Sequence, residues 1–171
     1  MASLIEELID TLKKENSEYE KLLELSRKKA DIIVKRDIPA LEKITDDETG
    51  VMTRIGNLEA KREEVTGDIA NVINKDVGEL KLSVLITLLN KQPKEQKALS
   101  VIHDKLKTTV GNVRSINESN RQLIDQSLEM VEFDLNMMRA MRQAPQTNNY
   151  GKGAMNVGGT LGSVKGFDAK Q

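Results

Sequence analysis

Few side chains in this 171-residue sequence have the types and spacing that chemistry requires. His103 is the only histidine and there is no cysteine, so a standard His/Cys metal cluster cannot form. A lone helix histidine also lacks the positioned partners that acid–base catalysis needs. Adjacent carboxylates such as Glu63 and Glu64 point to different sides of a helix. No glycine-rich phosphate loop follows a strand. We therefore expect no catalytic residue, metal or cofactor, and no enzyme.

The composition favours a helical protein. Charged residues make up 31% of the sequence and aromatic residues only 2%, a balance typical of helix bundles and coiled coils. The net charge of −1 gives no reason to expect nucleic-acid binding, which needs a basic patch. No apolar run reaches the ~20 residues of a membrane span, and the N-terminus is acidic where a signal peptide is basic. These features predict a cytoplasmic protein without membrane insertion.

Apolar residues spaced three and four apart predict two long helices in the first half of the chain. The first starts near Ser3, whose S-x-x-E pattern with Glu6 is typical of a capping box. Pro39 marks the break before the second helix, because proline cannot donate a backbone hydrogen bond but suits a first helical turn. The second helix contains three glycines, each of which weakens a helix by roughly 1 kcal/mol relative to alanine.

A short helix around residues 79–89 then leads to a last helix over residues 93–142. The last helix would span roughly 75 Å, against ~50 Å for each of the first two, at ~1.5 Å per residue. The predicted fold class is all-α, an elongated antiparallel bundle or coiled coil of three long helices plus one short connector helix. Residues 1–142 form the predicted helical domain. Residues 143–171, rich in glycine and asparagine and without apolar periodicity, form a predicted flexible tail.

The most informative stretch is residues 116–138, where polar side chains interrupt the apolar positions of the last helix. Continuing the spacing of three and four from Val113 gives one face that contains Asn117, Asn120, Ile124, Ser127 and Val131. Buried amides in a helix seam fix register or pair with specific donors, at some cost in stability. We therefore predict that Asn117 and Asn120 set the register against the protein's own helices.

Methionines concentrate at the end of the last helix, where its extra length should exceed that of the other helices. They are Met130, Met137, Met138 and Met141. Flexible, polarizable methionines suit adaptable binding grooves, although ordinary core filling explains them equally well from composition alone. Apolar residues beyond the end of a bundle need something to cover them, which favours binding.

Three stretches resemble the FlgN family of flagellar type III export chaperones. They are EYEKLLELSRKKADIIVKRDIPALEKITDDE (residues 18–48), LEAKRE from Leu58 and, as the most specific part, NESNRQLIDQSLEMVEFDLNMM from Asn117. The resemblance covers about residues 1–142. It implies a cytoplasmic chaperone for hook-associated, hook–filament junction proteins of the FlgK and FlgL type. Such a chaperone would bind their C-terminal helical segments, prevent premature association and deliver them to the flagellar export apparatus.

On this interpretation the second half of the informative stretch binds the client protein. The predicted partner-binding residues are Leu123, Ile124, Ser127, Leu128, Val131, Leu135, Met138 and Met141. The expected state is a monomer or weak homo-oligomer. The alternative is a structural coiled-coil adaptor that self-assembles through the last-helix seam, since such a protein would share every helical feature and would form a stable oligomer.

Overall fold

The computed structural model describes residues 2–143, and these residues form helices and turns without a strand. The helices are α1 (Ala2–Lys35), α2 (Ile38–Ile73), α3 (Leu82–Leu88) and α4 (Pro93–Gln143), with 3-10 turns at Val77–Glu79 and Leu89–Lys91 on either side of α3. The all-α class, with three long helices and one short connector, is confirmed. Of the predicted tail, residues 143–171, Gln143 is the last residue of α4 and the rest lies outside the described residues.

Contacts divide the chain into two compact units, residues 1–133 and 134–171. The first unit contains α1, α2, α3 and most of α4. Of the second unit, the described part is the end of α4, residues 134–143, whose side chains are all exposed. The boundary at residue 142 between a helical domain and a tail stays a prediction.

The turn between α1 and α2 follows from its residue types. Arg36 has a positive φ of 55°, which ends α1. Asp37 caps α2, because its carboxylate accepts a hydrogen bond of 3.1 Å from the backbone N–H three residues later. Pro39 occupies the first turn, as predicted. The N-terminal end of α1 is at Ala2, one residue before the cap that the sequence predicts at Ser3.

In the first unit α1 and α4 run in the same direction, with α2 antiparallel to both. Three hydrogen bonds join α1, or the turn that follows it, to α4 at nearly constant sequence separations of 93, 94 and 94 residues. A constant separation is the signature of parallel helices in fixed register. The pairs are Thr109 Oγ1 to Asn16 Oδ1, Asn120 Nδ2 to Ser26 O, and Arg36 Nη2 to Met130 Sδ.

The apolar core of the first unit lies mainly at the end where the connector joins α2 to α4. There Leu8 and Leu12 of α1 meet Ile69 of α2 and Leu99 of α4, all fully buried, and Leu85 of α3 closes the cluster. A smaller cluster farther along the bundle consists of Leu22, Leu23, Val51, Ile55 and Val113. Apolar packing therefore becomes sparser toward the α1–α2 turn.

Polar pairs cross the α1–α2 interface between these clusters. Arg62 Nη1 donates a hydrogen bond of 3.0 Å to buried Glu15 Oε1, and the Tyr19 hydroxyl donates to Glu59 Oε1 at 3.1 Å. Burial raises the pKa of Tyr19 to about 12, with a further contribution from the hydrogen bond to Glu59. These contacts require specific partners on α2, so they help to select the pairing of the two helices.

Candidate functional site

Asn120 is the point where α4 is joined to the rest of the bundle near the predicted binding region. Its side chain is 5% exposed, and Nδ2 donates a hydrogen bond of 2.7 Å to the backbone oxygen of Ser26. The other amide atom, Oδ1, is buried without a donor among the described residues. An amide here can satisfy the Ser26 carbonyl only when α1 and α4 are in this register, which supports the predicted role of Asn120.

Ser26 of α1, which accepts the hydrogen bond from Asn120, also contacts α2. The Ser26 hydroxyl donates to Glu48 Oε1 at 3.0 Å, and Lys29 Nζ lies 2.7 Å from Glu48 Oε2. Glu48 occupies a position in the α2 seam where apolar residues precede and follow it, and its carboxylate is buried with these two donors. Residues from all three long helices therefore meet in one polar layer, which sequence reasoning did not assemble because the partners are far apart in the chain.

Asn117, by contrast, is exposed. The inner position one residue earlier is taken by Ile116, which is half-buried and packs against the smaller apolar cluster. The interior placement expected for Asn117 is therefore incorrect, because α4 turns Ile116 and Asn120 inward, at a spacing of four residues. Of the two amides, the packing supports a register role for Asn120 alone.

Three predicted partner-binding residues lie at the edge of the bundle packing. Leu123, Ile124 and Ser127 are each half-buried. They are the last residues of α4 that the remaining helices partly cover, since every residue from Leu128 to Gln143 is exposed.

From Leu128 onward the large apolar side chains of the first unit face solvent. Predicted residues Leu128 and Val131 are 62% and 42% exposed. Met130 and Phe133 are exposed as well, and Phe133, at 65%, was absent from the sequence-based site. Aromatic anchors are enriched in protein interfaces. Phe133 lies three residues from Met130, so helical spacing alone would have placed it beside the methionines in the predicted site.

The described end of the second unit continues the same composition. Predicted residues Leu135, Met138 and Met141 are exposed, as is Met137. Isolated exposed apolar residues are normal on a protein surface. Four large apolar side chains within residues 135–141 are more than isolated exposure, and groups of exposed apolar residues are typical of interaction surfaces.

The location of the exposed region follows from where α1 ends. Arg36 Nη2 in the α1–α2 turn donates to Met130 Sδ at 3.3 Å, so this turn lies beside the start of the exposed apolar stretch. Val34 and Ile38, on either side of the turn, are themselves exposed. They were not predicted, because nothing in the sequence shows which part of α4 the turn would reach.

One edge of this region is acidic. Asp125, Glu129 and Glu132 are exposed and follow one another at spacings of four and three residues, which places them along one side of α4. The side chains of Leu128 and Val131, spaced similarly, therefore form an apolar strip bordered by carboxylates.

Within residues 2–143 no group of three or more His, Cys, Asp or Glu side chains could hold a metal ion. The Nδ1 atom of His103 lies 3.1 Å from Oδ1 of its neighbour Asp104. No helix in the described part of the chain is long and apolar enough to cross a membrane.

The family described as "FlgN protein" matches residues 1–158, which include every helix described above. The chain belongs to the FlgN family. No curated protein and no solved structure matches it. Membership in the FlgN family implies a flagellar export chaperone, and FlgN is a family of chaperones rather than of enzymes.

Proposed function

We propose that this FlgN-family chain binds the C-terminal helical segments of hook-associated proteins of the FlgK and FlgL type in the cytoplasm. Binding prevents their premature association and delivers them to the flagellar type III export apparatus. The observation that carries the proposal is the exposed apolar end of α4, from Leu128 onward. A family of export chaperones needs a surface for its clients, and this is where large apolar side chains collect on α4.

The client segment lies along α4 as an amphipathic helix. Its apolar face covers Leu128, Val131, Leu135 and Met138, which recur at spacings of three and four residues. Half-buried Leu123 and Ile124 provide a fixed start to the surface, and the methionines adapt to clients of different sequence. Ordering a disordered client segment opposes binding, which keeps the affinity moderate and allows release at the export apparatus.

The acidic edge of α4 orients the client. Exposed Asp125, Glu129 and Glu132 favour basic side chains on the facing edge of the client helix. Because these charges are solvated, they mainly raise the association rate. Added salt screens the charges and so lowers that rate. The chain acts as a monomer or weak homo-oligomer, with neither nucleic acid nor membrane lipid as a partner.

The test replaces Val131, Leu135 and Met138 together with aspartate and measures binding to a synthetic peptide from the C-terminus of a FlgK-type protein by calorimetry. All three residues are exposed, so the bundle should keep its helicity by circular dichroism. Interface hot spots contribute about 2 kcal/mol each, so we expect an affinity loss of more than ~100-fold.

The matched control is Val101→Asp, which also places a carboxylate at an exposed apolar position of α4. Val101 lies far from the proposed surface, and its replacement should leave peptide affinity unchanged. Equal binding by the triple variant and the unmodified chain would contradict the placement of the client. The coiled-coil adaptor predicts instead a stable oligomer whose light-scattering mass does not change on dilution and which the triple variant dissociates.

A further inference from the structure

We propose that the cleft beside the α2–α4 connector is a second binding site, which takes a protein segment carrying an apolar side chain next to carboxylates. The cleft has a volume of about 320 Å³. Ile73 at the end of α2 forms one part of its wall, and Leu85, Leu88 and Leu89 of the connector form the rest. The size and the apolar wall suit a large side chain of a peptide rather than a cofactor.

The wall of this cleft is preformed. Leu85 and Leu89 are buried in the main apolar cluster, where they pack with Leu8 and Leu99 of the long helices. Leu88 is 42% exposed at the mouth of the cleft. A rigid base with one apolar side chain left at the opening is the arrangement that lets a partner bury apolar surface without reordering the host.

Two lysines give the cleft its charge preference. Lys75 and Lys91 both line it, and both are exposed. Among residues 2–143 neither forms an ion pair. Free ammonium groups beside an apolar wall favour a segment that presents carboxylates next to its apolar anchor.

The connector site is separate from the proposed client surface. Pro93, next to the cleft, and Val131 are 38 positions apart on α4, or about 57 Å at ~1.5 Å per residue. Both sites can therefore be occupied at once. If the proposed function holds, the connector site lets an acidic partner segment bind the chaperone while it carries its client.

The test uses the full chain, isotope-labelled for NMR, and two capped hexapeptides, DELFDE and KKLFKK. The acidic peptide should shift the backbone amide signals of the connector, residues 73–92, and leave those of residues 125–133 in place. The basic peptide, with the same apolar pair, should bind at least about tenfold more weakly, because it places ammonium groups against Lys75 and Lys91.

Charge-reversed variants then separate this site from general charge attraction. Lys75→Glu/Lys91→Glu should weaken binding of DELFDE by about tenfold or more and improve binding of KKLFKK. The control Lys97→Glu/Lys107→Glu reverses the charge of two exposed lysines of α4 outside the cleft. It should change the affinity for neither peptide. Leu88→Asp should also abolish binding of DELFDE, with Val101→Asp as its control.

Three results would each overturn the proposal. They are equal affinity for the two peptides, amide shifts centred away from residues 73–92, and an equal loss of DELFDE affinity in the two double-lysine variants. The lysines are exposed, so the charge-reversal arm remains decisive even if Leu88→Asp fails to fold. Binding of a FlgK-type client peptide by the same variants should be unchanged. A loss of client binding alone would count against the proposed function and leave the connector site standing.

Discussion

At the scale of single residues, buried polar side chains specify how the helices of this chain pair. Asn120 and Glu48 each place an amide or carboxylate in the bundle interior, and each finds its donor or acceptor on another helix. Such groups contribute less to stability than apolar residues of the same size, but they penalise incorrect registers. The polar layer around Ser26 therefore specifies how the helices meet.

This role predicts different responses from the two amides of α4. Asn120→Asp replaces the donor to the Ser26 carbonyl with a carboxylate, near the buried carboxylate of Glu48, and should lower the free energy of unfolding by about 2–3 kcal/mol. Asn117→Asp, at an exposed position, should change it by less than about 0.5 kcal/mol. Urea denaturation of both variants measures the difference. Similar values for the two would show that Asn120 has no special role.

Glu15 predicts a pH dependence. Burial raises the pKa of this carboxyl above its ordinary value of 4.5, and the nearby charge of Arg62 only partly offsets the shift. The folded state therefore keeps its proton to a higher pH than the unfolded state does, and the stability contributed by Glu15 falls as the pH rises above 4.5. The stability of the unmodified chain relative to Glu15→Gln should accordingly fall as the pH is raised from 4.5. A difference that stays constant over this range would contradict the shift.

At the scale of helices, α2 has glycines that its packing does not require. A Cβ atom added at Gly56 or at Gly67 would meet no atom within 4 Å. Their weakening of the helix is therefore intrinsic, through the conformational freedom of the unfolded chain.

Gly56→Ala and Gly67→Ala should each raise the free energy of unfolding by roughly 0.5–1 kcal/mol. The reverse change at an exposed position of the same helix, Ala60→Gly, should lower it by a similar amount and serves as the control. Thermal unfolding followed by circular dichroism measures all three. Destabilisation by either alanine would mean that α2 needs its glycines for a bend or a partner.

The packing of α4 changes along its length. Its first part packs against the other helices through Leu99, Ile102 and Leu106, and its last part leaves apolar residues exposed. The apolar spacing is the same in both parts. Within the described residues of the first unit, what changes is whether another helix covers α4, and that depends on where α1 ends.

For the molecule as a whole, the described core residues lie between Ile5 and Asn120. A chain shortened after Arg142, at the proposed domain boundary, should therefore unfold at the same temperature as the full chain, within about 2 °C. Differential scanning calorimetry measures this. A clear drop would show that residues 143–171 contribute to folding stability, and the two-part division of the chain would be incorrect.

The sequence by itself determined the helices of this protein, because apolar spacing, Pro39, Pro93 and the Asp37 cap act over a few residues at a time. It also contained the family resemblance and the unusual α4 stretch. The tertiary structure alone decided which amide is buried, because one residue of helix rotation separates Ile116 from Asn117. It likewise decided that the described residues of α4 from Leu128 onward are exposed and that two exposed lysines line the cleft beside the connector. These features depend on where separate helices end relative to one another, and contacts between residues about 94 positions apart set that relation.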